Sequence, residues 1–366
     1  MDRKICVYAI AKNEIKFVER WFDSVKEADY VCVLDTGSSD GTYEKLKHLG
    51  VIVGRKKYKN FRFDKARNDS LKLIPNDADI CVSVDIDEFF EKGWSQIVRE
   101  NWKDGVTRAR YRYTWNFNPD GSEGVVFMAD KMHKNKMYKW KNPVHEILTV
   151  EGDRKECVID LPQLRLFHKA DNAKSRASYL PLLELSVKED PSNDRNMHYL
   201  GREYIFHGRY QEAIETLKKH LTMPSATWAD ERASSYRFLG YCYKKLGQNL
   251  QAEENYLKGV LQAPYTREGF YDLAEFYFEN QDYLKSAVAF EQMLKIESRY
   301  LNYMSAPKCW GSLPYDYLSI CYYKLDDYQK AIENVNKAIE LNKNDSRLQN
   351  NKKYFELSLK QNRIDH

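Results

Sequence analysis

No Cys-x-x-Cys pair occurs among the seven cysteines, and neither sign of charge dominates. No apolar run approaches the roughly twenty residues that a membrane span needs. Each absence removes a class. The cysteines (Cys6, Cys32, Cys81, Cys157, Cys242, Cys309 and Cys321) are odd in number and widely spaced. Three of them stand in apolar strand-like runs, where a thiol packs as a small hydrophobe. The expectation is a reduced, cytoplasmic protein and not a disulfide scaffold. Lys plus Arg exceed Asp plus Glu by 58 − 54 = +4, which is too small and too evenly spread for a nucleic-acid footprint. The apolar run from Ile5 to Ala11 is too short for a signal-peptide core and meets Lys12-Asn13-Glu14 at once. With 43% hydrophobic and 31% charged residues, the chain is not a disordered one, and its 366 residues accommodate two domains.

What is present falls into two halves of different period. Up to about residue 170, short β-rich runs (Ile5–Ala9, Tyr30–Leu34, Val51–Gly54, Ile80–Val84) alternate with stretches of helical spacing (Lys16–Ala28, Thr42–Leu49, Asp64–Leu73). Such alternation predicts a parallel sheet covered by helices, with ligands beyond the carboxyl ends of its strands. Three polar clusters fall at those ends: Lys12-Asn13-Glu14, Asp35 to Asp40, and Asp85 to Glu88. We place an α/β domain at residues 1–172 and an all-α domain at 173–366.

The second half holds twenty of the 27 tyrosines, and it repeats. Leu200-Gly201, Leu239-Gly240, Leu273-Ala274 and Leu318-Ser319 are spaced by 39, 34 and 45 residues. The small residues Ala213, Ala252, Ser286 and Ala331 give the same three spacings. Two markers in one register define a repeat. The period of 34 and the Leu-Gly…Tyr…Gly-x-Tyr-x-x-Ala layout resemble tetratricopeptide repeats, clearest in Met197–Leu221 and Tyr315–Leu341. The extra residues are expected in loops at Thr222–Arg232 and Ser298–Pro314. The tyrosines are then mostly packing residues between helical hairpins.

The chemistry concentrates in the first half. Val84-Asp85-Ile86-Asp87-Glu88 follows an apolar strand, and alternation along that strand would send Asp85 and Asp87 to one side. Paired hard oxygen ligands suit a divalent cation that shares its shell with a diphosphate. Asp35 ends a buried strand, where it can accept from a base N–H or a ribose hydroxyl. Gly37 and Gly41 allow a tight turn, and Asp40 or Thr42 can cap the next helix. Glu14 suits either a pocket rim or the first turn of a helix. Arg67, opening a helical segment with Asn68, can reach a base or phosphate. Arg110, Arg112 and Trp115 line either a sugar or acceptor pocket or the polar face of a strand.

Ala9-Ile10-Ala11-Lys12-Asn13-Glu14, Leu34-Asp35-Thr36-Gly37-Ser38-Ser39-Asp40-Gly41-Thr42, Phe63-Asp64-Lys65-Ala66-Arg67-Asn68 and Asp85-Ile86-Asp87-Glu88 occur in the order found in family 2 glycosyltransferases. Over residues 4–170 the chain resembles that family, which has the Rossmann-like GT-A fold. With its helical array it is similar to the bacterial peptide S-glycosyltransferases of glycosylated bacteriocins. The resemblance implies metal-dependent, inverting transfer from a nucleotide sugar, with a UDP-linked donor preferred over other nucleoside-diphosphate sugars. It implies Asp87 as ligand to Mn²⁺ or Mg²⁺ and Asp85 at the ribose. Ala11, Asn13, Glu14, Asp35 and Arg67 would then border the nucleotide. Of two histidines that compete as the later metal ligand, His168 is favoured over His145. Glu146 is the preferred proton acceptor, with His145 alone or the two together as alternatives.

Acceptors consistent with this reading are a peptide or protein held by the helical array, or a saccharide or lipid-linked group if the array only mediates a homodimer. An inactive interaction scaffold is the rival from another class. A nucleotidyltransferase is disfavoured, because Ala11-Lys12-Asn13-Glu14 lacks the glycines of a phosphate loop.

Overall fold

The computed structural model describes residues 3–118, 121–170 and 178–365. The chain divides into two compact units, residues 1–189 with 301–303, and residues 190–300 with 304–366. The first unit therefore continues past residue 172, where the sequence pattern suggested the division.

The first unit begins β1 (Ile5–Ala11), α1 (Val18–Val25), β2 (Tyr30–Asp35), α2 (Thr42–His48), β3 (Ile52–Arg55), α3 (Phe63–Leu71), β4 (Ile80–Ser83), β5 (Glu88–Phe90) and α4 (Trp94–Asn101). It continues with β6 (Arg108–Thr114), β7 (Val126–Lys134), β8 (Tyr138–Lys141), β9 (Ile147–Val150), β10 (Val158–His168) and α5 (Tyr179–Glu189). Eight strands form one sheet in the order β3-β2-β1-β4-β7-β6-β10-β5, and β8 pairs with β9 apart from it. Only the half from β3 to β4 is all parallel; β7 runs antiparallel to both β4 and β6. The sheet is mixed, and the expectation of a parallel sheet holds for half of it.

The pairing fixes where the ends fall. β6 is antiparallel to β7, which is antiparallel to β4, so β6 runs with β1; β10 is parallel to β6. The carboxyl ends of β1, β2, β4, β6 and β10 thus share one edge. β5 is antiparallel to β10, with His168 opposite Glu88, so β5 begins at that same edge. The strand order also reverses about β1, the topology that opens a crevice at the carboxyl ends.

Both faces of the sheet are covered, as the continuous apolar strands require. Ile5, Val7 and Ala9 point to a core that includes Trp21, Trp94 and Tyr111. The alternate residues Cys6 and Tyr8 point to a second core with Cys32, Cys81, Met137 and Trp140. Trp21 is fully buried and its indole N–H donates to the Val84 carbonyl at 3.2 Å, tying α1 to the end of β4. All seven cysteines are free thiols.

Among the described residues the second unit holds α6 (Asp194–Phe206), α7 (Tyr210–Thr222), α8 (Ala229–Lys245), α9 (Asn249–Gln262), α10 (Arg267–Glu279), α11 (Tyr283–Leu294), α12 (Leu313–Lys324), α13 (Tyr328–Leu341) and α14 (Ser346–Asp365). The repeat markers prove to be packing positions. A Cβ on Gly201 would stand 2.6 Å from Leu217, and one on Gly240 2.7 Å from Tyr256, so the paired helices cross too closely for a side chain. Ala213, Ala252, Ser286 and Ala331 are all fully buried, and Ser286 Oγ donates to the Ala274 carbonyl at 2.9 Å. The residue at each hairpin turn is left-handed: Gly208, Gly247, Gln281 and Asp326 have φ of 69°, 74°, 60° and 58°. The first expected loop is shorter than drawn, since α8 already starts at Ala229, whereas the second starts earlier, after Leu294, and ends where α12 begins at Leu313.

Candidate active site

The loops beyond β1 and β2 are stitched together by short polar side chains. The Ala11 carbonyl accepts from both the amide and the hydroxyl of Thr36, at 2.8 and 3.0 Å. Asn13 takes a left-handed conformation (φ 56°); its amide donates to Ser38 Oγ at 2.9 Å and its Oδ1 accepts from the Ser39 amide at 2.8 Å. The Glu14 amide donates to Thr42 Oγ1 at 2.8 Å. Asp40 accepts from the amides of Thr42 and Ile15, each at 3.0 Å, and so pins the first loop to the start of α2, whose cap residue is Gly41.

Asp35 is fully buried at the base of this arrangement. Its Oδ1 accepts from the amides of Gly37 and Ser38, at 3.0 and 3.1 Å, and lies 3.3 Å from Arg55 Nε. It therefore does not offer the open carboxylate the sequence suggested. The chain doubles back at Gly37 (φ 115°) and wraps its own amides around the acid.

Beyond β4 the two aspartates lie in a turn and not on a strand, because β4 ends at Ser83 and the Glu88 amide donates to the Asp85 carbonyl at 2.8 Å. Strand alternation does not apply to them, and their carboxylates meet different partners. Asp85 receives Arg67 through two bonds, Nη1 at 2.8 Å and Nη2 at 3.0 Å, and Lys131 Nζ at 3.3 Å. Burial alone would raise the Asp85 carboxyl, but the charges of Arg67 and Lys131 outweigh it and hold it well below the usual carboxylate range.

Arg67 does not open a helix; it sits within α3, buried, with its guanidinium over the Trp140 ring. Nε donates to Glu146, and Nη1 also donates to Ser83 Oγ at 3.1 Å. These bonds replace the base or phosphate contact expected of it, since a buried guanidinium needs its charge matched where it stands. Asn68, the next residue, bonds the Trp140 carbonyl and amide at 2.8 and 2.9 Å.

Glu88 completes the cluster. Its Oε2 accepts from the Asp85 amide at 2.8 Å, and its Oε1 from Tyr113 Oη at 2.7 Å and Lys131 Nζ at 3.2 Å. Burial raises its pKa above the ordinary carboxyl value; the charges of Asp85 and Asp87 add to this while Lys131 opposes it.

Asp87 meets His168 instead. His168 Nδ1 donates to the Trp115 carbonyl at 2.9 Å, which leaves Nε2 directed at Asp87, 3.4 Å from Oδ2. The Trp115 ring lies 4.5 Å from the imidazole. Burial disfavours the imidazolium, yet the Asp87 hydrogen bond and charge, with Glu88, raise its pKa. One carboxylate oxygen and one imidazole nitrogen thus converge, with the ring held through its far nitrogen as metal-binding histidines are. That donor set fits a divalent cation.

His145 and Glu146 separate. Glu146 joins Arg67, whereas His145, left-handed at φ 49°, sets its ring 5.8 Å from that of Tyr179. Arg110 pairs with Asp160 and Arg112 with Glu123, as on the polar face of a strand. Lys131, Tyr113, Ser83 and Arg55 escaped the sequence reading. For Lys131 the sequence offered no signal, since β7 also carries Asp130, His133 and Lys134 and nothing local names its partners.

Residues 6–150 match the model of glycosyl transferase family 2, and residues 233–265 and 312–345 match tetratricopeptide repeat models. No curated protein matches the chain. Solved structures with similarity include a MamA protein (20% identity, TM-score 0.36, 46% of this chain and 83% of that one). A second is MamA 41-end from Desulfovibrio magneticus RS-1 (18%, 0.37, 46% and 86%). A third is the C-terminal part of a repeat-containing protein from Cytophaga hutchinsonii (14%, 0.42, 51% and 67%).

Proposed function

Taking as premise that the chain is a family 2 glycosyltransferase domain followed by tetratricopeptide repeats, we propose a metal-dependent, inverting enzyme that moves a sugar from a UDP-linked donor to a peptide or protein. The observation that carries metal dependence is the approach of His168 Nε2 to Asp87 Oδ2 with Nδ1 fixed by Trp115. Asp87 and His168 would hold Mn²⁺ or Mg²⁺, which when bound neutralises the departing diphosphate. Few protein ligands suit such ions, whose remaining positions go to phosphate and water.

Other residues act through fixed charge and shape. Arg67 and Lys131 keep Asp85 ionised and immobile, ready to accept from a ribose hydroxyl. Ala11, Asn13, Glu14 and Asp35 build the loops that would border the base, with Asp35 acting through the shape of its turn. Acceptor deprotonation falls to Glu146 or His145. Glu146 accepts from Arg67 and would have to exchange that partner before it took a proton. The helical repeats supply the peptide-binding surface in this reading.

The test follows nucleoside diphosphate release by the full chain from a panel of nucleotide sugars, with Mn²⁺, with Mg²⁺ and with chelator. Release from one UDP-sugar that chelator stops supports the reading, and the anomeric configuration of the product decides inversion. A folded protein that binds no donor would point to the scaffold instead.

A further inference from the structure

Away from the sheet edge, three helices of the second unit bring unlike metal-binding groups together. Asp194 begins α6, His220 stands in the last turn of α7 and Glu231 in the first turn of α8. One ligand atom from each lies within 4.8 Å of the other two. His220 is fully buried, Glu231 nearly so.

Helix-end electrostatics account for part of this. Acids at helix N-termini and a histidine at a C-terminus complement the helix dipoles without any ligand. They do not account for His220 Nε2, which lies 3.3 Å from Glu231 Oε1 yet is buried with no hydrogen-bond partner among the described residues. An imidazolium neutralising Glu231 would aim its N–H along that line. Nor do they account for Asn196, in the first turn of α6 with Asp194, fully buried with neither side-chain amide atom hydrogen-bonded among the described residues. An unmet buried polar group costs about 1–3 kcal/mol, so an unmet imidazole nitrogen among carboxylates calls for an occupant.

The far side of His220 is built as for a ligand histidine. Its Nδ1 is 2.9 Å from Ser235 Oγ, and the same hydroxyl is 2.8 Å from Nδ1 of the fully buried His198. A hydroxyl carries one proton, so it donates to one ring and accepts from the other. With His220 Nδ1–H donating to Ser235 and Ser235 donating to His198, Nε2 of His220 is left as a lone pair facing two carboxylates.

We propose that Asp194, His220 and Glu231 form a divalent metal site of the zinc class in the helical unit, separate from Asp87 and His168 and clamping α6, α7 and α8. One imidazole with two carboxylates is a donor set that Zn²⁺ takes, with a fourth position for water.

The experiment uses full-length protein carrying Asp87→Ala and His168→Ala, so that metal at the sheet edge does not confuse the count. After chelator treatment it is titrated with Co²⁺ and then Zn²⁺. One equivalent of Co²⁺ with visible absorption bands, displaced by Zn²⁺ and accompanied by a rise in the unfolding midpoint, is expected. Adding His220→Gln should weaken binding at least a hundredfold, and Ser235→Ala ten- to a hundredfold. If His220→Gln fails to fold, Glu231→Gln replaces it. Absence of Co²⁺ binding in the folded double variant overturns the proposal, as does binding that His220→Gln or Glu231→Gln leaves unchanged. Because binding itself is read, the result is independent of whether the chain transfers sugar.

Discussion

Arg67 grips Asp85 through two parallel bonds, Nη1 at 2.8 Å and Nη2 at 3.0 Å, while its Nε holds Glu146. One side chain thus joins α3, the turn after β4 and the segment before β9. Lysine cannot reproduce that fork. Arg67→Lys should destabilise the first unit by about 3 kcal/mol, the cost of breaking a buried pair, and raise KM for the donor. Urea denaturation and donor kinetics check both; an unchanged midpoint would show that the network relaxes around a point charge.

Asp87→Ala should remove metal-dependent turnover, with a loss of at least a hundredfold in kcat, while circular dichroism of the helical repeats stays unchanged. Unimpaired transfer would refute the metal assignment.

Lys131 lies between Asp85 and Glu88, 3.3 and 3.2 Å from their oxygens. Lys131→Met keeps the bulk but leaves two carboxylates with less positive charge, opposing an incoming diphosphate. We expect kcat/KM to fall by at least tenfold, mostly through KM. A kcat/KM equal to wild type would place Lys131 outside the donor site.

His133 provides a pH signature. It is buried, accepts from Tyr8 Oη across 2.9 Å and has its pKa lowered to about 4, chiefly by burial and further by the charge of Arg108, against the Lys134 carbonyl. The unfolded chain protonates this histidine near 6.5, before the native state does. Stability is therefore complete above about 6.5 and declines as pH falls towards 4, by roughly 3 kcal/mol in all. His133→Gln should flatten the fall of the unfolding midpoint between pH 7 and 4. An equally steep profile in the variant would assign the effect to other groups.

Gln281 occupies the left-handed position that Gly208 and Gly247 occupy in the preceding hairpins. Gln281→Gly should stabilise the second unit by up to about 1 kcal/mol, relief of Cβ strain exceeding the entropy glycine adds to the unfolded chain. Calorimetry would read this as a higher midpoint; a lower one would mean that the glutamine side chain matters more than its backbone.

The sequence by itself determined what is local or periodic. Strand-helix alternation gave the first unit, and the 39, 34 and 45 spacings gave the repeats, because the close approach at Gly201 and Gly240 demands small residues in each hairpin. It also put Asp35, Asp85, Asp87 and His168 at strand ends, since a buried apolar run has to stop where its polar residues begin. Tertiary structure alone decided which charges meet. Lys131 faces Asp85 because β7 lies antiparallel to β4, and His168 reaches Asp87 because β10 returns beside β5. Those pairings join residues 46 and 81 positions apart (131 − 85 and 168 − 87), and strand order and register set them. The burial of Asp35 and the capture of Arg67 have the same cause. A buried charge takes whatever counter-charge or amide the fold brings within reach, and no local pattern of residues encodes that choice.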